Sequence, residues 1–385
     1  MQQAQTGRWA VAAMFATNGF VMGAWAPQIP LLLTRHDITT SMLGLLILGL
    51  GLGAVAAMLF AGRLIQTYGS RSIARAFGLA TAPALPLVVL APNLPLLALA
   101  MALMGALIGC MDVAMNANAV EVERRLGRAI MSSSHGFWSL GGFVGGIAGS
   151  YVIAKFGAES QALTVAALAL ITVLLAGPKL LADAPHPTET KPEPHALFPR
   201  DASLWILGFM ALFCMVPEGA VLDWAAIYLN RELGADLFRS GLGFAGFAAT
   251  MALMRFAGDR LRNRFGAVKT LQISGLISAA GLLGAGFAPN DITAIACFTF
   301  AGLGVANMVP ILFSAAGNHP GMAAGAAIST VTMVGYAGIL IAPSSIGFIG
   351  DHIGFRATYA ALAVVLLIVT ALAPRVKAAD GLKPL

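Results

Sequence analysis

The chain has 385 residues, of which 58% are hydrophobic and only 10% are charged, and its mean hydropathy is +0.82. This composition excludes an ordinary soluble domain, because soluble chains carry far more charge. The formal charge of +6 could indicate nucleic-acid binding, but the cations lie singly or in small groups in the breaks between apolar runs. We therefore predict an all-α integral membrane protein without a nucleic-acid partner.

Apolar runs of about 20 residues, the length that crosses a bilayer, follow one another along the whole chain. They predict twelve transmembrane helices, at roughly residues 8-33, 41-63, 73-91, 94-121, 134-154, 160-182, 203-229, 240-261, 268-288, 291-314, 322-349 and 355-374. The first run is long enough to span the membrane and lacks a small-residue cleavage site, so we expect an uncleaved first helix.

A polar stretch between Asp183 and Asp201 is rich in proline and charge and predicts a flexible linker. It divides the chain into an N-terminal six-helix half (residues 1-182), a cytoplasmic linker (183-202) and a C-terminal six-helix half (203-385). With the N-terminus inside, 18 of the 23 lysines and arginines lie on the cytoplasmic side. The positive-inside rule therefore places both termini in the cytoplasm.

The two halves are related in sequence. The stretch GRLIQTYG at Gly62 to Gly69 matches DRLRNRFG at Asp259 to Gly266, 197 residues later. Near the start of each half the spacing is 199, where SMLG at residues 41 to 44 meets SGLG at residues 240 to 243. Because each half contains an even number of predicted helices, such a repeat is parallel, with its axis along the membrane normal.

Twelve predicted helices, a parallel six-plus-six repeat, a central linker and a basic, glycine-containing turn after the second helix of each half resemble the major facilitator superfamily. Within it, the phrases MNANAVEVE, SSSHGFWSLGG, EGAVLDWAAIYL and GDRLRNRFG resemble a bacterial branch that includes rhizopine transporter-like and uncharacterised inner-membrane proteins. The resemblance implies the superfamily's fold, in which helices 1, 4, 7 and 10 line a central cavity and helices 2, 5, 8 and 11 form the gates.

The resemblance also locates gate residues in the cytoplasmic turns. The family's acid and arginine after helix 2 are replaced here by Gln66 and Thr67, and in the second copy Asn263 takes the position of the acid. We therefore expect a rewired gate, to which we assign Arg63, Arg71, Asp259, Arg260 and Arg264. Nearby, Glu121 and Glu123 precede Arg124 and Arg125, which predicts charge pairing at the membrane edge.

Two carboxylates inside predicted spans are the candidates for proton coupling, Asp112 on helix 4 and Glu218 on helix 7. An ionisable side chain at mid-membrane costs at least about 2.5 to 3.5 kcal/mol, so it normally faces the bundle interior or a water-filled cavity. Pro217 should kink or break helix 7 beside Glu218. Glu218 could instead bond a neighbouring helix, and Asp112 could bind substrate hydroxyls or pair with His135. Asp223, nearer the outer mouth, is a candidate for gating or pairing.

Polar and aromatic side chains on the predicted cavity and gate helices are the candidates for substrate binding. They are Asn18, Trp25, Gln28, Asp112, Asn116, His135, Trp138, Trp224, Tyr228, Asn307 and Tyr336. The tryptophans could stack on a sugar or cyclitol ring, or contact a cation through their π-faces, and each could equally serve as an interfacial anchor. The amides could hydrogen-bond hydroxyl groups, and the histidine could be structural or gating.

These features favour a secondary active transporter of a small polar solute such as a sugar or cyclitol, driven by proton symport with Glu218 as proton acceptor. The Gly-Pro pair of the superfamily's exporters is absent from helix 5, which favours uptake over the alternative, efflux of an amphipathic or cationic compound. A membrane sensor on a transporter scaffold is the alternative from another class. The sequence shows no nucleotide loop, metal-ligand spacing or nucleophile paired with a base, so we expect no enzyme, cofactor or metal. The expected partners are the solute, protons and the lipid bilayer, and we expect a monomer.

Overall fold

The structure is a computed structural model that describes residues 2-38, 40-183, 201-235 and 237-380. Residues 184-200, which make up most of the predicted linker, lie outside the described part. The described residues form α-helices joined by short turns and 3-10 segments, and no strand occurs among them. The prediction of an all-α chain is confirmed.

Fifteen α-helices occur within the described residues. The first half of the chain forms α1 (Gln2–Trp25), α2 (Ile29–His36), α3 (Thr40–Tyr68), α4 (Ser70–Thr81), α5 (Ala84–Val89), α6 (Leu94–Leu126), α7 (Met131–Phe156) and α8 (Ala158–Ala176). The second half forms α9 (Ala202–Leu233), α10 (Leu237–Phe265), α11 (Ala267–Gly286), α12 (Asp291–Val305), α13 (Met308–Gly317), α14 (Ala324–Ile353) and α15 (Phe355–Ala371). A 3-10 segment, Ala373–Asp380, follows the last helix.

Three of the predicted spans consist of two consecutive helices. The breaks fall at the 3-10 segment Ala26–Gln28, at Pro83, and at Ala306 and Asn307 between α12 and α13. Pro310 explains the third break, because a proline cannot donate a hydrogen bond to the carbonyl four residues earlier. Helix α9, in contrast, continues through Pro217 without interruption. The predicted break of this helix at Pro217 is therefore wrong.

Eight helices in the described part of the chain are long and apolar enough to cross a membrane. The number rises to nine if Phe355–Ala371 and Ala373–Asp380, which are bent by 51° relative to each other, form one span. Length and composition thus agree with a protein that crosses the membrane many times.

Helix pairing follows the same pattern in both halves. In the first half α1 packs along α7 and α3 along α6, and in the second half α9 packs along α14 and α10 along α12. Glycines allow the close approach of α1 and α7, since a Cβ added at Gly141 would lie 2.1 Å from the carbonyl oxygen of Ala16. The halves meet where α3 crosses α14 and where α7 crosses α10.

Helix caps recur at the spacing of 197 residues seen in the sequence. The side chains of Asn93 and Asn290 cap the first turns of α6 and α12. The carboxylate of Asp183 accepts a hydrogen bond from the first backbone N–H of α4, and Asp380 accepts one from the first backbone N–H of α11. These caps satisfy N–H groups that a helix start otherwise leaves unpaired.

Candidate functional site

The bundle has two ends, which we name by their contents. At the terminal end, α1 begins and the segment Ala373–Asp380 packs against α11 and α13, and Arg128 after α6 donates to Gln5 at a distance of 3.2 Å. At the opposite end, α2 finishes and α8 begins, where Arg35 and Glu159 form an ion pair of 2.7 Å.

An ion pair lies between these ends, midway along α9. The Nη2 atom of Arg255 on α10 lies 3.3 Å from Oε1 of Glu218, and Nη1 of Arg255 donates to Oγ of Ser139 on α7. The side chain of Arg255 is 8% exposed and that of Glu218 is 29% exposed. One guanidinium therefore joins a protonatable carboxylate of the second half to a helix of the first half.

Asp112 on α6 is the second interior carboxylate, and it is buried. Its Oδ2 atom has no hydrogen-bond partner among the described residues, and burial dominates its electrostatic environment. Tyr336 on α14 interacts electrostatically with both Asp112 and Glu218. Both predicted proton-coupling residues thus lie within electrostatic range of one tyrosine.

His135 and Asn116 extend this group toward the terminal end. Nε2 of His135 lies 3.2 Å from Oδ1 of Asn116, and Nδ2 of Asn116 donates to the backbone oxygen of Asp112 at 2.9 Å. The imidazole packs against the rings of Phe15 and Phe313, with centroids 5.0 and 5.8 Å away. The predicted polar link between helices 4 and 5 is present, and Asn116 rather than Asp112 is the hydrogen-bond partner of His135.

We call the side chains that meet here the interior cluster. Its members are Asp112, Asn116, His135, Ser139, Glu218, Arg255 and Tyr336. Within it Arg255 provides the counter-charge of Glu218, whereas Asp112 has no ionic partner among the described residues. A cluster of this kind can bind hydroxyl, carboxylate or cationic groups and can take up a proton.

Asn307, another of the predicted binding residues, is a buried amide. It lies at the break between α12 and α13, is 1% exposed, and neither its Oδ1 nor its Nδ2 has a partner among the described residues. A Cβ added at Gly258 on α10 would lie 1.8 Å from that Oδ1 atom. The glycine therefore makes room for the amide between α10 and the helix break.

Four other predicted binding residues make helix-to-helix contacts. Asn18 accepts a hydrogen bond from Nε1 of Trp138 at 2.9 Å and donates to the backbone of α6. Gln28 donates to Gln161 on α8 at 2.6 Å, and Trp25 is buried in the apolar core of the first half near the opposite end. These contacts join α1 to α6, α7 and α8.

The predicted binding and gating residues in the outer part of α9 point in different directions. The hydroxyl of Tyr228 donates to the carbonyl of Ala285 on α11 at 2.7 Å. The ring of Trp224 stacks on Phe355, with centroids 5.6 Å apart, while its Nε1 has no partner among the described residues. Asp223 is exposed. Contacts with described residues therefore turn Tyr228 away from the interior cluster and toward α11.

At the terminal end, Asp259 on α10 caps the first turn of α7. Its two carboxylate oxygens accept hydrogen bonds from the backbone N–H groups of Ser132 and Ser133, at 2.9 and 3.0 Å. Arg8 donates to the hydroxyl of Ser133 and interacts electrostatically with Asp259. The acid predicted to replace the family's missing gate residue thus lies in a contact between the halves.

A second contact between the halves lies beside it. Glu123 at the end of α6 forms a fully buried ion pair of 3.0 Å with Arg262 on α10. Glu123 also accepts hydrogen bonds from the backbone N–H groups of Ile130 and Met131 at the start of α7. The predicted pairing at the membrane edge holds for Glu121, which contacts Arg125 at 2.7 Å, and is wrong for Glu123.

Sequence reasoning missed Arg255 and Arg262, which it counted among the cytoplasmic loop cations. A signal was available in their spacing. Arg255, Asp259 and Arg262 are four and three residues apart, so they share one face of α10. A charged face within a predicted transmembrane helix indicates contact with polar groups of another helix.

Two other predicted gate residues make contacts within their own half of the chain. Arg71 donates to the carbonyl of Pro178 within the first half at 2.7 Å, and Arg264 lies over the ring of Phe265. Arg63 and Arg260 are exposed. Among the assigned gate residues, Asp259 makes hydrogen bonds between the halves.

Three ion pairs among the described residues of the opposite end join helices of the same half. They are Arg35 with Glu159, Arg239 with Asp291, and Arg356 with Glu232, at 2.7, 3.2 and 4.0 Å. Hydrogen bonds between the halves occur in the middle of the bundle, from Arg255 to Ser139, and at the terminal end, where Arg124 also donates to Asn318 of the second half at 2.9 Å. In this arrangement the described polar contacts close the terminal end of the bundle.

A bundle with this helix pairing and an interior cluster between its halves defines a multi-pass membrane transporter. The profile of the Major Facilitator Superfamily matches residues 11–221 and 207–381, so the chain belongs to that superfamily. The predicted family is confirmed, and so is the prediction that the protein is a transporter and not an enzyme.

Relatives of similar length support the same assignment. The chain is 37% identical to an uncharacterized MFS-type transporter of Yersinia pestis, over 93% of this chain and 92% of that protein. It is 33% identical to an uncharacterized transporter of Sinorhizobium fredii, over 95% of this chain and 97% of that protein. It is 32% identical to the membrane protein MosC of Rhizobium meliloti, over 94% and 88% of the two chains.

Solved structures share the fold at low sequence identity. The E. coli fucose:proton symporter FucP superposes with a TM-score of 0.77 at 18% identity, covering 95% of this chain and 97% of its own. The proton:xylose symporter XylE superposes with a TM-score of 0.72 at 12% identity, covering 96% and 95%. At these identities the likeness describes the fold of this chain and not its substrate.

Proposed function

We propose that the protein moves a small polar solute, such as a sugar, a cyclitol or a related metabolite, across the bacterial inner membrane by alternating access and proton symport. The observation that carries this proposal is the connection from Glu218 through Arg255 to Ser139. It places a protonatable group in the middle of the bundle and in contact, through one guanidinium, with the other half.

The proposal includes twelve membrane spans in two related halves. Counting α1 with α2, α4 with α5, and α12 with α13 as single spans gives six in each half. The shared helix pairing and the caps 197 residues apart support a parallel repeat. The excess of Lys and Arg at the terminal end supports cytoplasmic termini.

Proton coupling follows from the charges of the interior cluster. A proton on Glu218 removes the charge that attracts Arg255, which weakens the link between α9, α10 and α7. Asp112, buried without an ionic partner, is a second position where a proton lowers the cost of a buried charge. Solute binding then takes place while the terminal end is closed, and release follows when the contacts of Asp259 and Glu123 separate.

Transport by purified protein in proteoliposomes tests this function. We expect Glu218→Gln to abolish accumulation driven by an acid-outside pH gradient and to retain solute exchange, because exchange needs no net proton movement. The solute comes from a thermal-shift screen of sugars, cyclitols, organic acids and cationic compounds. Glu159 is an exposed acid at the opposite end, and Glu159→Gln is the matched control. Normal acid-driven accumulation by Glu218→Gln would contradict the proposed mechanism.

Efflux of a cationic compound is a second candidate, favoured by Asp112. A buried carboxylate without an ionic partner attracts a cation, and Tyr336, which interacts electrostatically with Asp112, is an aromatic residue that could contact a cation. The two functions predict opposite effects in cells that express the protein. Import raises the intracellular level of the solute, whereas efflux lowers it.

A further inference from the structure

The bonding of Arg255 is incomplete in a specific way. Its Nη1 atom donates to Ser139 and its Nη2 atom lies 3.3 Å from Glu218, while its Nε atom is buried without a partner among the described residues. Glu218 is the more exposed member of the ion pair, at 29% against 8%. The carboxylate can therefore be reached and exchanged while the guanidinium stays in the bundle.

Protonation of Glu218 leaves the guanidinium without a counter-charge. Other groups of the interior cluster do not replace it, because Asp112 forms no ion pair with Arg255 among the described residues and a histidine supplies no negative charge. Tyr336, from α14, carries no charge when protonated. A buried charge that loses its partner is strongly unfavourable, so the protonated state needs an anion from outside the described cluster.

We propose that Arg255 binds the transported solute and that this solute carries a carboxylate group. The inference deepens the proposed function and rests on it. A guanidinium binds a carboxylate through two parallel N–H···O bonds, and Arg255 has Nη2 and the unpartnered Nε to offer as Glu218 becomes neutral. The proton goes to Glu218 and the anion goes to Arg255, so the net charge of the interior cluster is the same before and after loading.

The remaining cluster favours a hydroxylated carboxylic acid over a purely apolar one. His135, which is hydrogen-bonded to Asn116, lies within electrostatic range of Arg255, and Tyr336 lies within electrostatic range of Glu218, so the cluster offers groups that can hydrogen-bond to hydroxyls. An amine would be repelled by Arg255 and drawn to Asp112. The charge of the preferred solute therefore distinguishes this proposal from cation efflux.

Binding to three sugars that share one ring tests the charge preference directly. We would measure thermal shifts of the purified protein with D-glucuronate, D-glucose and D-glucosamine, and with the smaller pair glycerate and glycerol, at constant pH and ionic strength. We expect the carboxylates to raise the Tm more than their neutral or amino counterparts. An equal or larger shift with glucose or glucosamine would overturn the proposal.

A second experiment does not require the transported solute to be known. It uses the space that a shorter side chain leaves at position 218. Glu218→Ala should lose Tm, and acetate or formate should restore part of the loss where chloride at the same concentration does not. The double variant Glu218→Ala with Arg255→Gln should show no such rescue. If acetate and formate fail to rescue Glu218→Ala and no carboxylate of the panel is preferred, Arg255 is not an anion site and the proposal is wrong.

Variants of the anchor give the expected size of the effect. Arg255→Gln should weaken binding of the preferred carboxylate by roughly thirtyfold or more, as truncation of a buried charge partner does. Arg255→Lys keeps the charge but cannot form two parallel N–H···O bonds, so its affinity for the carboxylate should lie between those of the wild type and Arg255→Gln. Arg35→Gln, which removes an arginine at the opposite end of the bundle, serves as the matched control. Unchanged carboxylate affinity in Arg255→Gln would also overturn the proposal.

These experiments fail separately from the proposed function. The binding measurements use no pH gradient, so a carboxylate site can be refuted while proton-driven uptake of a neutral solute by the wild-type protein remains intact. The opposite outcome is also possible. If Arg255→Gln loses carboxylate binding while Glu218→Gln accumulates solute normally in an acid-outside gradient, the anion site is supported and Glu218 is not the proton-coupling residue.

Discussion

The two places where the halves cross differ in the type of residue that forms the contact. At the crossing of α7 and α10, charged side chains form hydrogen bonds. Asp259 accepts from a backbone N–H group at the start of α7, and Arg255 donates to Ser139. At the crossing of α3 and α14, small residues carry it, and a Cβ added at Gly62 would lie 2.8 Å from the Cα of Ala326.

The difference is most informative at one pair of residues. Gly62 and Asp259 occupy the same position in the two copies of the sequence match, 197 residues apart. The carboxylate of Asp259 accepts two N–H groups at a helix start, where a negative charge is also favoured by the helix dipole. The glycine instead allows backbone contact. We infer that the α7 and α10 crossing responds to charge, whereas the α3 and α14 crossing responds to shape.

Among the variants that test this comparison, removal of one buried charge at the terminal end should cause the largest loss of stability. Glu123→Gln leaves Arg262 buried without its ionic partner, which typically costs about 3–5 kcal/mol. We expect a large loss of Tm in detergent. Glu121→Gln, two residues earlier, disrupts a pair with the more exposed Arg125 and should change the Tm little. Equal losses of Tm for the two variants would show that the buried pair with Arg262 stabilises the protein no more than the pair of Glu121 with Arg125.

Filling the glycine contact should have the next largest effect. Gly62→Val forces α3 away from the backbone of α14, and overpacking of this kind costs about 1–3 kcal/mol. We expect a lower Tm and slower transport, because the terminal end no longer closes. Gly44→Ala, at a position with open space around it, is the control. A Tm and a transport rate like those of the control would mean that α3 and α14 tolerate separation.

The cap at the start of α7 should have a smaller effect. Asp259→Ala removes the acceptor of two backbone N–H groups, and the loss of such a cap costs about 1 kcal/mol. We expect a modest loss of Tm and a shift toward the state that is open at the terminal end, measured by labelling of a cysteine introduced at Ser132. The neighbouring exposed Arg260→Ala is the control. Unchanged labelling would remove Asp259 from the gate.

The smallest effect is expected at the opposite end. Glu159→Gln breaks an ion pair with Arg35 between half-exposed side chains of the same half. Pairs of this kind contribute about 0.5 kcal/mol, and high salt weakens them. The Tm should shift only slightly, and less at 1 M salt than at low salt. A loss as large as that of Glu123→Gln would show that both ends hold the halves together.

Several elements of the fold could be read from the sequence because each depends on local composition. Apolar runs predict the helices, and the polar stretch after α8 predicts the division into halves. Helix breaks were harder to foresee. Pro217 sits inside an uninterrupted helix, whereas Pro310 accompanies a break, and the difference depends on how neighbouring helices accommodate the freed carbonyl.

The candidate site was predicted only in part. Asp112, Asn116, His135, Glu218 and Tyr336 were found because polar residues are rare in apolar runs and costly there. Their partner Arg255 was missed because positive charge near a helix end is normally explained by topology. Asn18 and Trp138 were expected in a binding site, and in the structure they bond to each other.

The sequence by itself determined the class of protein, since burial in lipid requires helices of a certain length and apolarity. It also determined which residues are too polar to face lipid. Only the tertiary structure decided which of these meet. The link from Glu218 through Arg255 to Ser139 joins residues that are 37 and 116 positions apart in the sequence. Such a contact depends on where three helices cross, and no local pattern encodes that crossing.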